Sequence, residues 1–312
     1  MIEALMSALI ADSVDPTLKE RLEKLGIKVD YRPGISREEL VKIIDKYNIL
    51  VFRGRLKIDR EIIDAGRSLK ILARYGVGLD NVDVEYAVKR GISVVSAPNA
   101  PTRSVAELTI ALIFSVARRV ALFDRKVKAG EWPKGKYIGM ELAGKTLGIV
   151  GFGRIGKAVA QLARGLDMKI LASDVIDVAK EVEKVGGRQV PLEDLLRESD
   201  VVSIHVPLTP QTYRLLDAER LSLLRDGAIL VNTSRGEVID HEALLRHIDR
   251  LWGVGLDVLP EEPPKSPYLK QLIEHEKVVV TPHVGSETYE AMKRLADELA
   301  MNLEEVISRL GL

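Results

Sequence analysis

The chain has 312 residues, enough for two domains of ordinary size, and 46% of them are hydrophobic, which excludes a wholly disordered protein. Its 46 basic residues balance its 46 acidic residues, so no excess charge favours nucleic acid or a membrane surface as a partner. Cysteine is absent, which excludes disulfides, thiolate metal sites and cysteine nucleophiles, and we predict no metal site.

The start of the chain argues against export. Its first residues, MIEALMSALIADS, lack the basic segment of a signal peptide. The longest strongly apolar stretch, 108–117, is shorter than the ~18 residues that argue for a membrane span. We therefore expect a soluble, cytoplasmic protein. Asn and Gln are few beside the many charged residues, a bias typical of heat-adapted proteins.

Short β-branched runs alternate with amphipathic segments in the first 95 residues. Strands are predicted at 7–11, 28–31, 49–52 and 69–74. Helices are predicted at 16–25, 40–47 and 59–65. The second helix follows a capping box formed by Ser36 and Glu39. Because strands that alternate with helices pair in parallel, this part of the chain predicts a small open α/β domain.

A long apolar helix is predicted from Thr102 to about residue 120. Residues 105–120 are apolar on nearly every face, whereas a surface helix would have a polar face. The helix should therefore be buried. The sequence leaves two interpretations equally open, a central helix inside its own domain or a helix packed against another subunit.

A second α/β unit follows Pro98 and Pro101. Its strands are predicted at 146–150, 169–173, 201–204, 228–231, 253–256 and 278–280. The final segment, 286–310, is predicted to be one long helix. No repeat or low-complexity segment interrupts the chain.

A Gly-x-Gly-x-x-Gly motif at Gly151, Gly153 and Gly156 lies between a predicted strand and a predicted helix. The first glycine makes a tight turn, the second lets the backbone approach a pyrophosphate, and the third lets the helix pack on the strand. The N-terminus of the helix offers N–H groups to phosphates, and Arg154 could add a positive charge. The alternative interpretation is a glycine-rich turn that binds no nucleotide.

Asp174 ends the next predicted strand, 18 positions after Gly156, and indicates the cofactor. Its carboxylate can accept hydrogen bonds from the adenosine ribose hydroxyls, and the same charge would repel a 2′-phosphate. Val175 and Ile176 follow it, with no Arg or Lys. The predicted cofactor is therefore NAD rather than NADP.

Three further segments, 232–236, 257–263 and 281–283, follow predicted strands and should meet at the same sheet edge as the glycine loop. Their side chains match the needs of hydride transfer from a 2-hydroxy acid. Arg235 offers a bidentate fork to a carboxylate, His283 titrates in the range that proton transfer needs, and Glu262 could orient the imidazole and favour its charged form.

Each of these residues also has a structural interpretation. Arg235 could form a salt bridge within a loop, and Glu262 could be a solvated carboxylate beside Glu261. His205 follows a strand and could simply pack near the cofactor. The other histidines lie in polar surroundings and are predicted at the surface, namely His241, His247 and His275.

These motifs resemble those of the D-isomer-specific 2-hydroxyacid dehydrogenases, and the likeness covers essentially the whole chain. It is carried by the glycine loop and by the segments 73–83, 97–107, 232–236, 255–258 and 281–283. The resemblance implies two open parallel-sheet α/β domains, Rossmann-like or flavodoxin-like, separated by a cleft. Residues 1–98 plus 287–312 would form the substrate-binding domain, and 99–286 the NAD-binding domain. It also implies a homodimer formed through the 102–120 helix region.

The same resemblance implies residue roles. Arg235 would hold the substrate carboxylate, His283 would be the acid/base, Glu262 its partner, and Asp257 would accept a hydrogen bond from the nicotinamide amide. The residues expected at the dinucleotide site are Val77, Gly151, Gly153, Arg154, Ile155, Gly156, Asp174, His205, Val206, Thr233, Ser234, Arg235, Asp257, His283 and Gly285. The residues expected to contact substrate are Arg53, Arg55, Gly76, Val77, Gly78, Asn99, Arg235 and His283.

The substrate is expected to be phosphorylated. Arg53 matches the first residue of the family's phosphate-binding Arg-Ser pair, Gly54 replaces the serine, and Arg55 and Lys57 add nearby positive charge. The expected reaction is therefore the NAD-dependent oxidation of 3-phospho-D-glycerate to 3-phosphooxypyruvate, which begins serine biosynthesis. The regulatory C-terminal module of longer relatives is not expected, because the sequence ends after the last helix.

Two other functions remain open at this point. A glyoxylate or hydroxypyruvate reductase would use the same catalytic residues. An NAD-sensing binding protein, similar to the transcriptional corepressors of this fold, could also retain them.

Overall fold

The computed structural model describes residues 6–311, and these residues form two compact units. The first unit runs to Pro101 and resumes at Ser286, and the second comprises Thr102–Gly285. Each unit is built on a parallel sheet, which confirms the predicted fold class. The assignment of residues 1–98 plus 287–312 to substrate, and of 99–286 to the dinucleotide, stays a prediction.

The first unit has a five-stranded sheet. Its strands are β1 (Ser7–Ile10), β2 (Lys28–Tyr31), β3 (Ile49–Phe52), β4 (Ile71–Arg74) and β5 (Ser93–Ser96), in the order β2-β1-β3-β4-β5. Its helices are α1 (Pro16–Lys24), α2 (Arg37–Ile43), α3 (Arg60–Ala65), α4 (Val84–Lys89) and the last helix of the chain, Tyr289–Leu310, with a 3-10 turn at Ile44–Lys46. One of the two hydrogen bonds of the predicted capping box is present, because the Ser36 hydroxyl accepts the Glu39 N–H at 3.1 Å.

The second unit has a seven-stranded sheet. Its strands are β6 (Thr146–Val150), β7 (Lys169–Ser173), β8 (Arg188–Gln189), β9 (Val201–Ile204), β10 (Ile229–Asn232), β11 (Gly253–Leu256) and β12 (Val278–Val280), in the order β12-β11-β10-β9-β6-β7-β8. Its helices are α5 (Thr102–Ala117), α6 (Val120–Lys128), α7 (Arg154–Arg164), α8 (Ala179–Glu183), α9 (Leu192–Glu198), α10 (Ala218–Ser222), α11 (His241–His247) and α12 (Pro267–Glu274), with 3-10 turns at Gly236–Val238 and Ile248–Arg250. All of these strands are parallel, so their carboxyl ends share one edge.

The predicted helix at 102–120 is in fact two helices. Arg119 has a φ of 55°, a left-handed conformation that ends α5 before α6 begins at Val120. Helix α5 packs in the core of its own unit, with Leu112 and Val116 against β11. A Cβ added at Gly253 would lie 2.7 Å from Val116, and one added at Gly255 would lie 3.1 Å from Leu112, so the helix approaches the strand this closely because both residues are glycine. This agrees with one of the two open interpretations, and contact with a second subunit stays a prediction.

No helix in the part of the chain that the structure describes is long and apolar enough to cross a membrane.

Candidate active site

The glycine loop follows β6 and leads into α7. Gly151 has a φ of 90°, which favours glycine, and a Cβ added there would lie 2.7 Å from the carbonyl oxygen of His205. A Cβ at Gly156 would lie 2.3 Å from the carbonyl oxygen of Gly151, so its absence allows the helix to approach the strand. Apart from the adjoining backbone, nothing in the described part of the chain lies within 4 Å of a Cβ added at Gly153. The loop therefore leaves open space at the N-terminus of α7.

The groups around this space fit a dinucleotide. Gly153 is the N-cap of α7 and no side chain caps the helix, whose first N–H groups belong to Arg154 and Ile155. Asp174 directly follows β7, and its Oδ2 accepts the Phe152 N–H at 2.8 Å, which ties the carboxylate to the loop. The helix N–H groups can donate hydrogen bonds to phosphates, and this carboxylate can accept hydrogen bonds from ribose hydroxyls. Together these groups suit NAD.

His205 and Val206 follow β9 and lie against Gly151. The Nε2 of His205 shares a hydrogen bond of 2.8 Å with the Ser203 hydroxyl, and its Nδ1 is shielded from solvent without a hydrogen-bond partner among the described residues. Loss of hydration lowers the pKa of His205 to about 3, so the ring is neutral at physiological pH. His205 therefore packs beside the loop as an uncharged side chain.

A tight turn after β10 carries Arg235. Asn232 is fully buried, its Nδ2 donates to the Arg235 carbonyl at 2.8 Å, and its Oδ1 accepts from the Ser234 N–H and hydroxyl at 2.9 and 2.8 Å. Thr233 is also buried, and its hydroxyl lies 2.9 Å from that of Thr109 in α5. The turn is thus held by the side chain of Asn232 and by the hydrogen bond between Thr233 and helix α5.

The loop after β11 packs directly on this turn. A Cβ at Gly236 would lie 2.0 Å from the carbonyl carbon of Leu259, so the two segments approach closely only because residue 236 is glycine.

Two neighbouring carboxylates of this loop, Glu261 and Glu262, have different hydrogen-bond partners. Glu261 accepts the N–H groups of Lys265 and Ser266 and so stabilises its own loop, whereas Glu262 extends one oxygen to the Leu259 N–H and the other to His283.

His283 follows β12 with a φ of 56°, which is uncommon for a residue with a side chain. Its N–H donates to the carbonyl of Asp257 at 2.9 Å. The buried Asp257 carboxylate accepts from the Thr281 hydroxyl at 2.6 Å and from the N–H groups of Val284 and Gly285 at 2.9 Å. Burial raises the pKa of Asp257, although these hydrogen bonds oppose the shift. Asp257 therefore holds the segment that bears His283.

The imidazole and the carboxylate form a pair. His283 Nδ1 lies 2.8 Å from Glu262 Oε2. Burial raises the pKa of Glu262, but the hydrogen bond and charge of His283, the Leu259 N–H and the charge of Arg235 outweigh it, so this pKa lies below its ordinary value. Glu262 is therefore ionised at neutral pH. The structure brings Arg235, Glu262 and His283 together at the carboxyl edge of one sheet.

In the first unit, the predicted phosphate contacts already have carboxylate partners. Arg53 pairs with Glu287, and Arg55 Nε donates to Asp12 Oδ1 at 2.8 Å. Asp12 is almost fully buried and also accepts the Arg53 N–H at 2.7 Å. A phosphate at Arg53 or Arg55 would compete with these carboxylates.

The other predicted substrate residues of this unit lie in two loops. The Asn99 side chain donates to Glu298 at 2.6 Å. Gly76, Val77 and Gly78 follow β4, and the guanidinium of Arg74 donates to the carbonyls of Tyr75 and Gly78 at 3.0 and 3.1 Å. Their contact with substrate stays a prediction.

The surface position predicted for His241 is wrong. Only 3% of this residue is exposed, its Nδ1 donates to the Ile239 carbonyl at 3.0 Å, and burial lowers its pKa to about 4. Its polar sequence neighbours are misleading because the first residue of α11 faces the core. His247 and His275 are partly exposed.

Two supporting residues are not among those that the sequence predicts, although a signal for each exists. Thr109 is one of a few polar residues in a largely apolar helix. Asn232 ends a strand two positions before a serine, the spacing of a side-chain-closed turn.

The carboxyl edge of one sheet thus bears a dinucleotide-type glycine loop and a cluster of Arg235, Glu262 and His283. A family profile described as D-isomer specific 2-hydroxyacid dehydrogenase, NAD binding domain, matches residues 110–285. The chain belongs to this family, and it contains the family's NAD binding domain.

The proteins to which the chain is similar carry different enzyme names. The chain is 41% identical to a hydroxypyruvate reductase of Thermotoga maritima, with 96% of this chain and 97% of that protein covered. It is 42% identical to a glyoxylate reductase of Thermococcus litoralis (86% and 82% covered) and 39% identical to a D-3-phosphoglycerate dehydrogenase of Archaeoglobus fulgidus (92% and 54% covered). The chain thus spans about half the length of the phosphoglycerate dehydrogenase. Among solved structures, the TT0316 protein of Thermus thermophilus matches with a TM-score of 0.88 and 37% identity over 97% of both chains.

Proposed function

We propose that the protein interconverts a D-2-hydroxy acid and its 2-oxo acid with NAD. The contact of 2.8 Å between His283 Nδ1 and Glu262 Oε2, at the sheet edge that also bears Arg235, supports this proposal most directly. An imidazole, a carboxylate and a guanidinium in this arrangement supply the proton transfer and carboxylate binding that the reaction needs.

The chemistry divides among these residues. Bound NAD supplies the acceptor for the hydride that leaves the substrate C2 atom. Arg235 binds the substrate carboxylate through its planar fork. Because Glu262 engages Nδ1 of His283, Nε2 is the nitrogen that takes the proton from the substrate hydroxyl as its carbon–oxygen bond becomes a carbonyl. In the reductive direction, Nε2 returns this proton, and the carboxylate stabilises the charged imidazolium.

The dinucleotide is expected at the glycine loop. The uncapped N-terminus of α7 suits its phosphates, and the Asp174 carboxylate suits ribose hydroxyls. A 2′-phosphate would face the negative charge of Asp174, so NAD should be preferred to NADP.

For the substrate, our first candidate is 3-phospho-D-glycerate, which would place the reaction at the start of serine biosynthesis. The positive charges of Arg53, Arg55 and Lys57 support it, as does the similarity to a D-3-phosphoglycerate dehydrogenase.

A second candidate, reduction of glyoxylate or hydroxypyruvate, is favoured by a specific observation. Arg53 and Arg55 are paired with Glu287 and Asp12, so a phosphate dianion would first have to displace a carboxylate. Gly54 supplies no hydroxyl where the family's serine would. The relatives that match over most of their own length include a hydroxypyruvate reductase and a glyoxylate reductase.

Steady-state kinetics with NAD and NADP over phosphorylated and unphosphorylated acids distinguish these candidates. If the substrate is 3-phospho-D-glycerate, Arg53→Ala should raise KM for this acid and leave glyoxylate reduction almost unchanged. Arg188→Ala is the matched control, because this arginine pairs with Glu198 on the surface of the other unit. NAD binding without turnover of any acid would instead favour an NAD-sensing binding protein and would refute the proposed reaction.

Three further features stay predictions: a homodimer formed through the 102–120 region, a cytoplasmic location and adaptation to heat. Phe114 and Val120 in that region are 38% and 54% exposed, which supports the first.

A further inference from the structure

We propose that Asn232 is a positioning residue that fixes Arg235 for carboxylate binding, an inference that rests on the proposed function. The side chain of Asn232 closes the turn from residue 232 to residue 235 by three hydrogen bonds. It is fully buried at the end of β10 and therefore acts on substrate only through Arg235.

The hydrogen-bond pattern requires an amide at this position. One side-chain atom of Asn232 faces the carbonyl of Arg235, which can only accept, and the other faces two donors of Ser234. A carboxylate would offer two acceptors and an aliphatic side chain would offer neither group. Because the Asn232 side chain is fully buried, an unmatched polar group at this position is costly.

Closure of the turn determines where the guanidinium lies. The Arg235 Nη1 donates to the Ser234 carbonyl at 2.7 Å, so the side chain folds back on the turn that Asn232 closes. The Asn232 carbonyl also accepts the Asp257 N–H at 3.0 Å, which links the turn to the strand end that holds the His283 segment. If the turn opened, Arg235 would move while the glycine loop, after β6, would keep its structure.

The inference is tested with Asn232→Asp, an isosteric change that replaces the donor to the Arg235 carbonyl with an acceptor. The KM for the carboxylate substrate should rise between about fivefold and about 100-fold, the range expected for an unmatched buried polar group. The dissociation constant of NAD should change much less than this KM, because the turn forms only part of the expected dinucleotide site and the glycine loop after β6 is not altered. The defect in KM should shrink as the pH falls, because a protonated carboxyl can again donate to the Arg235 carbonyl. A role in general stability would instead weaken NAD binding and substrate binding in parallel.

Asn302→Asp is the matched control. The Nδ2 of Asn302 also donates to a backbone carbonyl, that of Ser96 at 2.8 Å, but in the first unit and apart from the Arg235 turn. The KM of the Asn302→Asp variant should match that of the wild type. If Asn232→Asp does not bind NAD because it misfolds, Asn232→Ser introduces no charge and should raise KM in the same way with NAD binding retained.

The outcomes separate the inference from the proposed function. A wild-type protein without turnover of any 2-hydroxy or 2-oxo acid refutes the proposed function. An active wild type together with an unchanged KM in both Asn232 variants overturns the inference alone, and so does a parallel loss of NAD affinity and substrate affinity.

Discussion

The pair formed by Glu262 and His283 makes a prediction about pH. In Glu262→Gln the charge is lost and the shape is kept. One amide atom must face the Leu259 N–H and the other the imidazole, so the oxygen can serve only one of these two donors. In either orientation no anion remains to stabilise the imidazolium.

The size of the effect follows from the exposure of the pair. A hydrogen bond to a charged group contributes about 1.5–3 kcal/mol when it is well shielded. The side chains of His283 and Glu262 are 48% and 40% exposed, so solvent screens this bond and about half of that contribution is expected. Loss of the anion should therefore disfavour the imidazolium by about 0.7–1.5 kcal/mol.

The assay is the pH dependence of kcat/KM in both directions. Oxidation needs the neutral imidazole and speeds up as the pH rises, whereas reduction needs the imidazolium and slows down. In Glu262→Gln both midpoints should move to lower pH. Glu261→Gln is the control, because within residues 6–311 the hydrogen bonds of the Glu261 side chain stay in its own loop. Unchanged midpoints in Glu262→Gln, or an equal shift in the control, would refute the assigned pairing.

Two further predictions concern stability and are measured by urea unfolding. Gly236→Ala should lower the free energy of unfolding by about 1–3 kcal/mol, because the added Cβ would lie 2.0 Å from the Leu259 carbonyl carbon. An unchanged value would mean that the turn after β10 and the loop after β11 separate without loss of stability. Burial lowers the pKa of His241 from 6.5 to about 4, so between these values the unfolded chain binds a proton that the folded chain does not. The free energy of unfolding of the wild type should therefore fall by about 3 kcal/mol as the pH falls through this window. His241→Asn keeps a donor for the Ile239 carbonyl and should lose less stability over the same window, whereas an equal loss would show that other groups cause it.

The sequence predicts most strands of both sheets well, but it misses one edge strand of each sheet. The bounds of β3 and β9 agree with the prediction, because each is a short run dominated by β-formers with turn residues on either side. By contrast, β5 and β8 are not predicted. The first contains two serines and the second only two polar residues, so their pairing depends on neighbouring strands rather than on their own composition.

The break between α5 and α6 also lies beyond the sequence. Helix-forming residues continue through this region, but Arg119 adopts a left-handed conformation and its guanidinium lies 4.6 Å from the centre of the Trp252 ring. A contact between residues so far apart in the chain leaves no local signal, and such contacts override helix propensity.

The candidate site likewise has features that the sequence predicts and contacts between distant residues that it does not. The convergence of Arg235, Glu262 and His283 is predictable, since parallel strands place their carboxyl ends at one edge. The pairing of Arg53 with Glu287 and of Arg55 with Asp12 is not, because it joins distant segments. That pairing is what weakens the expectation of a phosphorylated substrate.

The most direct test of the dehydrogenase proposal compares turnover and NAD binding in His283→Ala. The proposal predicts that the rate of NADH formation from the preferred 2-hydroxy acid falls by at least about 100-fold, the lower range for loss of acid–base catalysis, while calorimetry finds NAD affinity close to that of the wild type. A variant that retains most of its turnover would contradict the proposed mechanism, because another group would then be taking the proton of the hydroxyl.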